Sequence, residues 1–210
     1  MEKKKVVAAL EKALETKGKR KFNQSVEAIF NFRSIDMTKP ENRLNLEVIL
    51  PKGRGKEVPV VVFADTGMAL DAKKAGATQI YDKTGIEGLK NNKKELKKMA
   101  SESEFIAAPQ LMIEVGKNLG QVLGGRGRLP KPIAGSVELA IKQAKSRVRI
   151  MTRGKYLPTV SCSIGTESMS VPELAENFEA VYDKVKDKVG ESMLSNIYVK
   201  LTMGSAVKIE

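Results

Sequence analysis

Hydrophobic and polar residues alternate near both ends of the chain, whereas the middle contains continuous apolar runs. Near the ends, apolar residues at every second position predict half-buried strands, and apolar residues three or four positions apart predict amphipathic helices. The two strands nearest the N-terminus are expected to pair in antiparallel fashion. The elements predicted near the ends are a helix over 6–14, strands over 26–32, 44–50, 157–164 and 197–201, and a helix over 172–189.

The middle of the chain changes in pattern at the apolar run Val60–Phe63. A continuous run of this kind is typical of a parallel strand that is covered on both faces. Helix-like and strand-like stretches then alternate, which predicts a three-layer α/β domain. The helices predicted in this part span 69–75, 88–100, 111–123 and 137–145, and the strands lie at 80–81 and 105–108.

These two patterns indicate two domains. Each end of the chain is too short to enclose a large core, but the two ends together reach an ordinary domain size. We therefore expect a discontinuous α+β sheet domain made of residues 1–62 and 154–210, with a three-layer α/β domain inserted at residues 63–153. The fold class is α/β with two domains.

Net charge favours nucleic acid as the partner. The 210 residues include 37 Lys and Arg against 25 Asp and Glu, a net charge of +12 with a pI of about 9.7. A balance of this kind suits a protein that meets polyphosphate. On the expected boundaries the inserted domain carries +8 and the discontinuous domain +4, so charge favours the inserted domain as the polyanion contact.

What the sequence lacks excludes several function classes. It contains no histidine, the usual general base near neutral pH and the commonest metal ligand, which excludes Ser-His-Asp, Cys-His and Cys/His zinc sites. We therefore expect no enzyme activity, no cofactor and no metal. Because no apolar run reaches membrane length and no signal peptide is present, we also expect a cytoplasmic protein without a membrane partner.

Two residue patterns that resemble reactive sites have ordinary structural explanations. Cys162, the single cysteine, lies in an alternating stretch on the apolar side, which predicts a buried and unreactive thiol. The triplet Asp65-Thr66-Gly67 matches aspartic proteases, but those enzymes need two carboxylates that share a proton. Since the triplet occurs once and precedes helix-like sequence, Asp65 or Thr66 is expected to bind the first amides of a helix.

The segment 123–132 contains glycine, arginine and proline and almost no apolar side chain. It is expected to be an exposed loop in which Arg126, Arg128 and Lys131 bind the phosphates of a nucleic acid. The Gly-Lys-Ser or Gly-Lys-Thr ending of a Walker phosphate loop is missing. The alternative is a basic loop that is merely solvated.

A second glycine-spaced basic segment, Lys52-Gly53-Arg54-Gly55-Lys56, lies between a predicted strand and the buried run at Val60. Lys52 and Arg54 are candidate phosphate contacts here. The alternative is a flexible turn at a domain boundary.

Two segments at opposite ends of the chain, 21–27 and 201–207, become neighbours if both termini build one domain. A hydroxyl at Ser25 or Thr202 can bind a ribose hydroxyl, and the carboxylate of Glu27 can accept from a base amine. A glycine at 204 lets a sugar-phosphate chain approach the backbone. The side chains of Phe22 and Met203 suit contacts with riboses or bases; the alternative is that they pack in the core.

These segments carry a resemblance to a known family. The chain resembles, over essentially its whole length, the L-one family of large-subunit ribosomal proteins in its archaeal branch. The segments that carry the resemblance are Lys21-Phe22-Asn23-Gln24-Ser25-Val26-Glu27, Lys39-Pro40-Glu41-Asn42-Arg43, Leu50-Pro51-Lys52-Gly53-Arg54-Gly55-Lys56, 123–132, and Tyr198-Val199-Lys200-Leu201-Thr202-Met203-Gly204.

The resemblance implies a terminal domain that binds folded large-subunit rRNA and a smaller, Rossmann-like inserted domain. It also implies a place in the mobile stalk near the exit site, movement and release of tRNA there, and repression of translation through the protein's own operon mRNA. The free protein is expected to be a monomer. By motif, the RNA-binding residues are Lys21, Phe22, Ser25, Glu27, Thr202, Met203 and Gly204.

The sequence departs from the family pattern at three positions. Gly125 and Ser205 stand where the family usually has proline, and Leu129 stands where it usually has methionine; a basic C-terminal tail of some archaeal relatives is also lacking. Two other functions remain as alternatives. A nucleotide-dependent α/β enzyme would bind a small ligand saturably, and a general nucleic-acid chaperone would bind many sequences alike.

Overall fold

The computed structural model describes residues 2–36, 38–152 and 157–209. Short 3-10 turns at Pro40–Asn42, Pro109–Leu111 and Glu191–Met193 accompany the regular elements. In chain order these are α1 (Lys3–Glu15), β1 (Ser25–Phe32), β2 (Asn45–Ile49), β3 (Val60–Phe63), α2 (Thr66–Lys74), β4 (Gln79–Tyr81), α3 (Lys83–Asn91), α4 (Lys93–Glu102), β5 (Glu104–Ala107), α5 (Met112–Gly125), β6 (Lys131–Pro132), α6 (Val137–Ser146), β7 (Arg147–Met151), β8 (Thr159–Thr166), α7 (Val171–Val189), β9 (Leu194–Leu201) and β10 (Val207–Ile209).

The chain packs as two units. Residues 1–56 and 146–210 form the terminal unit, and residues 57–145 form the inserted unit. The divisions lie six and eight residues before those expected from the sequence. Strand pairing explains the difference, because β3 pairs with β4 and β5 inside the inserted unit, whereas β7 pairs with β2 inside the terminal unit.

The terminal unit is built on a four-stranded antiparallel sheet with the order β10-β9-β1-β8. Alternate residues of β1 are buried, and this face packs with the apolar sides of α1 and α7 in one core. Phe30 stacks on Phe178 of α7 with ring centroids 5.8 Å apart. The other residues of β1 are only half-buried, so the sheet has one covered face and one more open face.

The expected pairing between the first two strands is wrong. β1 lies between β8 and β9, so neither of its edges is available. β2 instead pairs with β7 in a separate two-stranded sheet. Alternation predicted both strands, but it carries no information about partners that are distant in sequence.

The inserted unit contains a parallel sheet with the order β4-β3-β5-β6. Helices α3, α4 and α5 contribute to the apolar cluster on one face, while α2 and α6 contribute to the cluster on the other. Burial on both faces explains the continuous apolar run of β3. This three-layer arrangement, beside an α+β terminal unit, confirms the predicted α/β fold class.

Two local expectations in the inserted unit are also wrong. The predicted helix over 88–100 is two helices, because the backbone at Asn92 leaves the helical region and its side chain accepts a hydrogen bond from Glu95 N to cap α4. Asp65 stands at the N-cap of α2, but its side chain makes no capping hydrogen bond.

The observed boundaries reverse the distribution of charge. The terminal unit has 23 basic and 15 acidic residues, a net charge of +8, whereas the inserted unit has 14 and 10, a net charge of +4. The arginines of β7 account for much of the change. Net charge therefore favours the terminal unit as the polyanion contact.

The expected burial of the single cysteine is confirmed. Cys162 is buried in β8, and burial, with a smaller contribution from the charge of Glu27, raises the pKa of its thiol to about 12. In the part of the chain that the structure describes, no helix is both long and apolar enough to span a bilayer.

Candidate nucleic-acid interface

The first and last long strands bring the two candidate segments together. β1 and β9 pair antiparallel, with Val26 opposite Leu201 and Glu27 opposite Lys200. In this register the residues that enter β1 lie beside those that leave β9. The strand-end surface is the group formed by Lys21, Phe22, Ser25, Glu27, Thr202, Met203 and Gly204.

Thr202 and Ser25 are joined by three hydrogen bonds. Thr202 N donates to Ser25 O at 3.0 Å, Ser25 N donates to Thr202 Oγ1 at 3.1 Å, and Thr202 Oγ1 donates to Ser25 O at 3.2 Å. Because a hydroxyl has one proton and two lone pairs, Thr202 Oγ1 keeps one acceptor position for a ligand. Among the described residues, the Ser25 hydroxyl has no hydrogen-bond partner and can both donate and accept.

A fully buried glutamine, Gln24, holds the surface from behind. Its Oε1 accepts from Met203 N at 3.1 Å, and its Nε2 donates to Lys17 O at 3.0 Å and to Glu167 Oε2 at 3.1 Å. Glu167 also forms an ion pair with Lys17, with 3.3 Å between Oε1 and Nζ. The side chain of Gln24 therefore ties the 202–204 turn to α1 and to the turn after β8.

Two large apolar side chains project from this scaffold. Phe22 is 51% exposed and Met203 is 57% exposed, so neither packs in the core. Lys21 is exposed, and Glu27 is half-buried on the open face of the sheet. The surface thus combines an aromatic ring, a thioether, two hydroxyls, one cation and one carboxylate, which suits riboses and bases more than phosphate alone.

Gly204 has a packing role as well. A Cβ at this position would lie 2.4 Å from Thr16 Oγ1 and 3.1 Å from Leu201 Cβ. Thr16 cannot move freely, because its hydroxyl donates to Ala13 O at the end of α1. The glycine is therefore required by the close approach of α1 to the turn, whatever it does towards a ligand.

The open face of the sheet continues from the strand-end surface. Its residues alternate with the buried ones along three neighbouring strands, and they are half-buried and mostly polar. They are Glu27, Ile29, Asn31, Ser161, Ser163, Tyr198 and Lys200.

The basic loop 52–56 is held in place by Asn177 of α7. The Asn177 amide is fully buried; its Oδ1 accepts from Lys52 N at 2.9 Å, and its Nδ2 donates to Gly53 O at 2.9 Å and Ile164 O at 2.8 Å. Lys52 Nζ also lies 3.3 Å from a carboxylate oxygen of Glu176. These contacts tie the loop, which ends at the division between the two units, to α7 of the terminal unit.

Hydrogen bonds also connect this loop to the strand-end surface. Thr166 Oγ1 donates to Gly55 O at 3.2 Å and shares a 2.9 Å hydrogen bond with Ser168 Oγ. Asn23 Nδ2 donates to the same Ser168 hydroxyl at 3.2 Å. Lys52 and the half-buried Arg54 thus belong to the unit that carries the strand-end surface.

The second group of basic candidates lies in the inserted unit, and its expected exposed loop is only partly observed. α5 extends to Gly125, and Lys131 begins β6, which pairs with β5. Arg128 is half-buried and ion-paired with Glu104 of β5. Arg126 follows α5 and is exposed. All three residues belong to the inserted unit, whereas the strand-end surface belongs to the terminal unit.

Metal chemistry has no support in the described part of the chain. No group of three or more Cys, Asp and Glu side chains that suits a metal ion occurs there. The strand-end surface consists of hydrogen-bonding, apolar and cationic groups with one carboxylate, that of Glu27.

Comparison with known proteins identifies the family. The model of the ribosomal protein L1p/L10e family matches residues 10–205. The chain is 40% identical over 212 residues to large ribosomal subunit protein uL1 of Methanocella arvoryzae, covering 100% of both chains, and 41% identical over 207 residues to that of Methanothermobacter thermautotrophicus, covering 97% and 98%. The protein of the same name from Thermofilum pendens is 43% identical over 193 residues, covering 91% and 86%. The chain belongs to the ribosomal protein L1p/L10e family.

Family membership settles the broad class. The predicted resemblance is confirmed, and its archaeal character agrees with the organisms of these relatives. A ribosomal protein of the L1p/L10e family is a ribosomal component in the cytoplasm and not an enzyme. The alternative function as a nucleotide-dependent α/β enzyme is therefore wrong. The RNA contacts of individual residues stay predictions.

Sequence reasoning missed the residues that support the surface. Gln24 and Asn177 are polar side chains that the structure buries completely. Asn177 lies at a position of α7 where helical spacing from Leu174, Val181 and Val185 predicts the buried face. A polar residue at such a position was the available signal.

Proposed function

We propose that this L1p/L10e family protein is a constituent of the large ribosomal subunit that binds a folded rRNA element through the strand-end surface. The main support is the pairing of β1 with β9, which joins Ser25 to Thr202 and leaves Phe22 and Met203 exposed beside them. Exposed apolar side chains that flank hydroxyls and backbone groups match a ribose-lined RNA surface.

Each part of the surface has a chemical role in this proposal. The hydroxyls of Ser25 and Thr202 bind ribose 2′-hydroxyls, which are the groups that distinguish RNA from DNA. Phe22 and Met203 pack on riboses or bases, and Glu27 accepts from a base amine. Lys21 neutralises a phosphate.

The basic loop supplies a second set of contacts. Lys52 and Arg54 stand on a loop that Asn177 and Thr166 hold in place, and both residues bind phosphates of the same RNA. Arg126, Arg128 and Lys131 are secondary contacts of the inserted unit. For Arg128 the ion pair with Glu104 competes with phosphate, so its contribution is the smallest of the three.

The experiment that tests this function is crosslinking of the full-length protein to RNA in cell extract, followed by sequencing of the attached RNA. We expect one folded segment of large-subunit rRNA, crosslinked through peptides that contain residues 21–27 and 201–204. Attachment to many unrelated RNAs, removed by competition with bulk tRNA, would support a general nucleic-acid chaperone instead.

We also propose the finer roles that the family resemblance implies. The protein and its rRNA element form a mobile stalk near the exit site, where they assist movement and release of tRNA, and the protein represses translation by binding its own operon mRNA. One surface serves both RNAs, since a repressor site that imitates rRNA is bound by the same side chains.

Shared use of one surface gives the repression proposal its test. A reporter that carries the 5′ part of the operon mRNA is expected to be repressed by the unchanged chain and not by a Thr202→Val variant. Equal repression by both chains would separate the mRNA site from the rRNA site.

A further inference from the structure

A groove on the terminal unit lies between α1 and the edge strand β10. It encloses about 490 Å³ and is lined by Lys5, Ala8, Ala9, Lys12, Val207 and Lys208. We call it the α1–β10 groove. None of the residues assigned to the strand-end surface lines it.

Both walls of the groove are fixed by the core. α1 buries Val6, Leu10 and Ala13 on the side towards the sheet, and β10 pairs with β9 through Val207 opposite Val199 and Lys208 opposite Tyr198. Lys5, Ala8 and Lys12 follow the helical repeat, so they share one face of α1. A ligand would meet a surface that is already formed.

The charged side chains that face the groove are cationic. Lys5 and Lys12 are exposed on α1, and the described residues that line the groove include no Asp or Glu. Lys208 stands opposite Tyr198, so its side chain leaves the sheet on the open face. Lys5 Nζ lies 3.8 Å from a carboxylate oxygen of Glu2, but both side chains are exposed. An ion pair of this kind contributes little and yields to a phosphate.

The groove is continuous with the strand-end surface. β10 follows the 202–206 turn directly, and Thr16 follows the last residue of α1. The Thr16 hydroxyl approaches Gly204 so closely that a Cβ on Gly204 would lie 2.4 Å from it. Lys12 precedes Thr16 by about one helical turn, or roughly 6 Å. One strand of RNA that leaves the turn can therefore enter the groove.

The spacing of the two lysines suits a sugar-phosphate strand. Lys5 and Lys12 are seven residues apart, which is about 10 Å along the helix. One strand of a nucleic-acid duplex carries a phosphate about every 3.4 Å of axis. A strand that follows the groove thus presents about three phosphates over this length, and Lys5 and Lys12 lie at its two ends.

We propose that the α1–β10 groove binds the sugar-phosphate backbone of the same RNA that occupies the strand-end surface. The small side chains of Ala8 and Ala9 let the strand lie against the helix, and Lys5 and Lys12 neutralise its phosphates. The groove contributes affinity without base specificity, and it extends the interface by one backbone segment. This inference rests on the proposed rRNA-binding function.

The test measures RNA affinity against salt concentration for the full chain and for a Lys5→Gln/Lys12→Gln variant. The probe is the rRNA segment recovered by crosslinking. Each lost phosphate contact lowers the slope of log K against log salt by about 1, so we expect a decrease of about 2. A decrease of 2 corresponds to roughly 100-fold weaker binding at 0.1 M than at 1 M salt, relative to the unchanged chain.

The matched control is Lys4→Gln/Lys184→Gln, which removes the same charge from two exposed lysines of the same unit outside the groove. It is expected to change the slope by less than 1. Equal slopes for the two double variants would overturn the groove proposal while leaving rRNA binding intact. If the unchanged chain bound no rRNA segment, both the proposed function and the groove proposal would be wrong.

Discussion

Thr202 has a structural role in joining β9 to β1, and it also belongs to the proposed RNA-binding surface. Its hydroxyl bonds to the backbone of Ser25 and keeps one acceptor position for RNA. Thr202→Val keeps the shape of the side chain, so the loss of the internal hydrogen bonds should reduce the free energy of unfolding by only about 1 kcal/mol. We expect RNA binding to weaken by about 1 to 3 kcal/mol, because a desolvated ribose hydroxyl is left unpaired.

Filter binding and urea unfolding of the same samples check this prediction. Ser205→Ala is the control, since Ser205 is exposed in the same turn and should leave both quantities unchanged. RNA affinity of Thr202→Val equal to that of the unchanged chain would remove Thr202 from the interface.

Gly204 allows packing to be separated from recognition. Gly204→Ala should destabilise the chain, because its Cβ would collide with Thr16 Oγ1. Thr16→Ala removes that atom, so the double variant should regain part of the lost stability. If the glycine also admits an RNA backbone, the double variant will recover stability without recovering RNA affinity.

A double-mutant cycle of unfolding free energy and of RNA affinity measures both couplings. Recovery of stability and affinity together would mean that Gly204 serves only the contact between α1 and the turn. No recovery of stability would contradict the close approach to Thr16.

At the scale of elements, the alternation of apolar residues predicted nearly every long helix and strand. Phe30 and its neighbours in β1 follow the expected alternation, and α7 begins and ends within a residue of its prediction. The strands β6, β7 and β10 were missed; β6 and β10 have only two or three residues, which are too few to show a period. The pairing of β2 with β7 was missed with them, and its partners are distant in sequence.

The site was partly predictable for the same reasons. Segments 21–27 and 201–204 were named from their residue types, and the pairing of β1 with β9 explains why both ends of the chain are needed. The supporting side chains of Gln24 and Asn177 were not predicted. Hydrogen bonds to backbone groups far along the chain leave no periodic signal in the sequence.

Asn177 links α7 to the basic loop, and its removal should loosen that loop. Asn177→Ala leaves Lys52 N, Gly53 O and Ile164 O without their partner, which should lower the free energy of unfolding by about 2 to 4 kcal/mol. Hydrogen exchange at the Lys52 amide should accelerate. Asp187→Ala, an exposed change on the same helix, is the control, and an equal effect of the two substitutions would contradict the role of Asn177.

The capping box at the start of α7 should make the helix sensitive to acid. The Ser170 hydroxyl and backbone N–H both donate to Glu173 and hold the pKa of its carboxyl below the usual value. A lowered folded-state pKa stabilises the fold above the unfolded-state pKa, and that stabilisation is lost as pH falls through the folded-state value. Glu173→Gln should therefore be less stable than the unchanged chain at pH 7, with the difference shrinking below about pH 4.

Thermal unfolding from pH 3 to pH 7 measures that difference. A constant difference across the range would mean that the ionised carboxylate of Glu173 contributes nothing beyond what a neutral amide provides.

At the scale of the whole molecule, the larger positive net charge and the proposed RNA-binding surface belong to the same unit. The terminal unit carries a net charge of +8 and holds the strand-end surface, whereas the inserted unit carries +4. Electrostatic attraction to RNA should therefore depend more on basic residues of the terminal unit. We compare Lys52→Gln/Lys56→Gln with Lys117→Gln/Arg126→Gln, two exposed pairs, one from each unit.

Both variants lower the net charge of the chain from +12 to +10, so general attraction to a polyanion changes equally. The two variants differ in the local phosphate contacts that they remove. The first variant should reduce the slope of log K against log salt by about 2. The second should reduce it by less than 1. A larger reduction for the second pair would move the main phosphate contacts to the inserted unit, and it would make the net charge of each unit a poor guide to where this protein meets RNA.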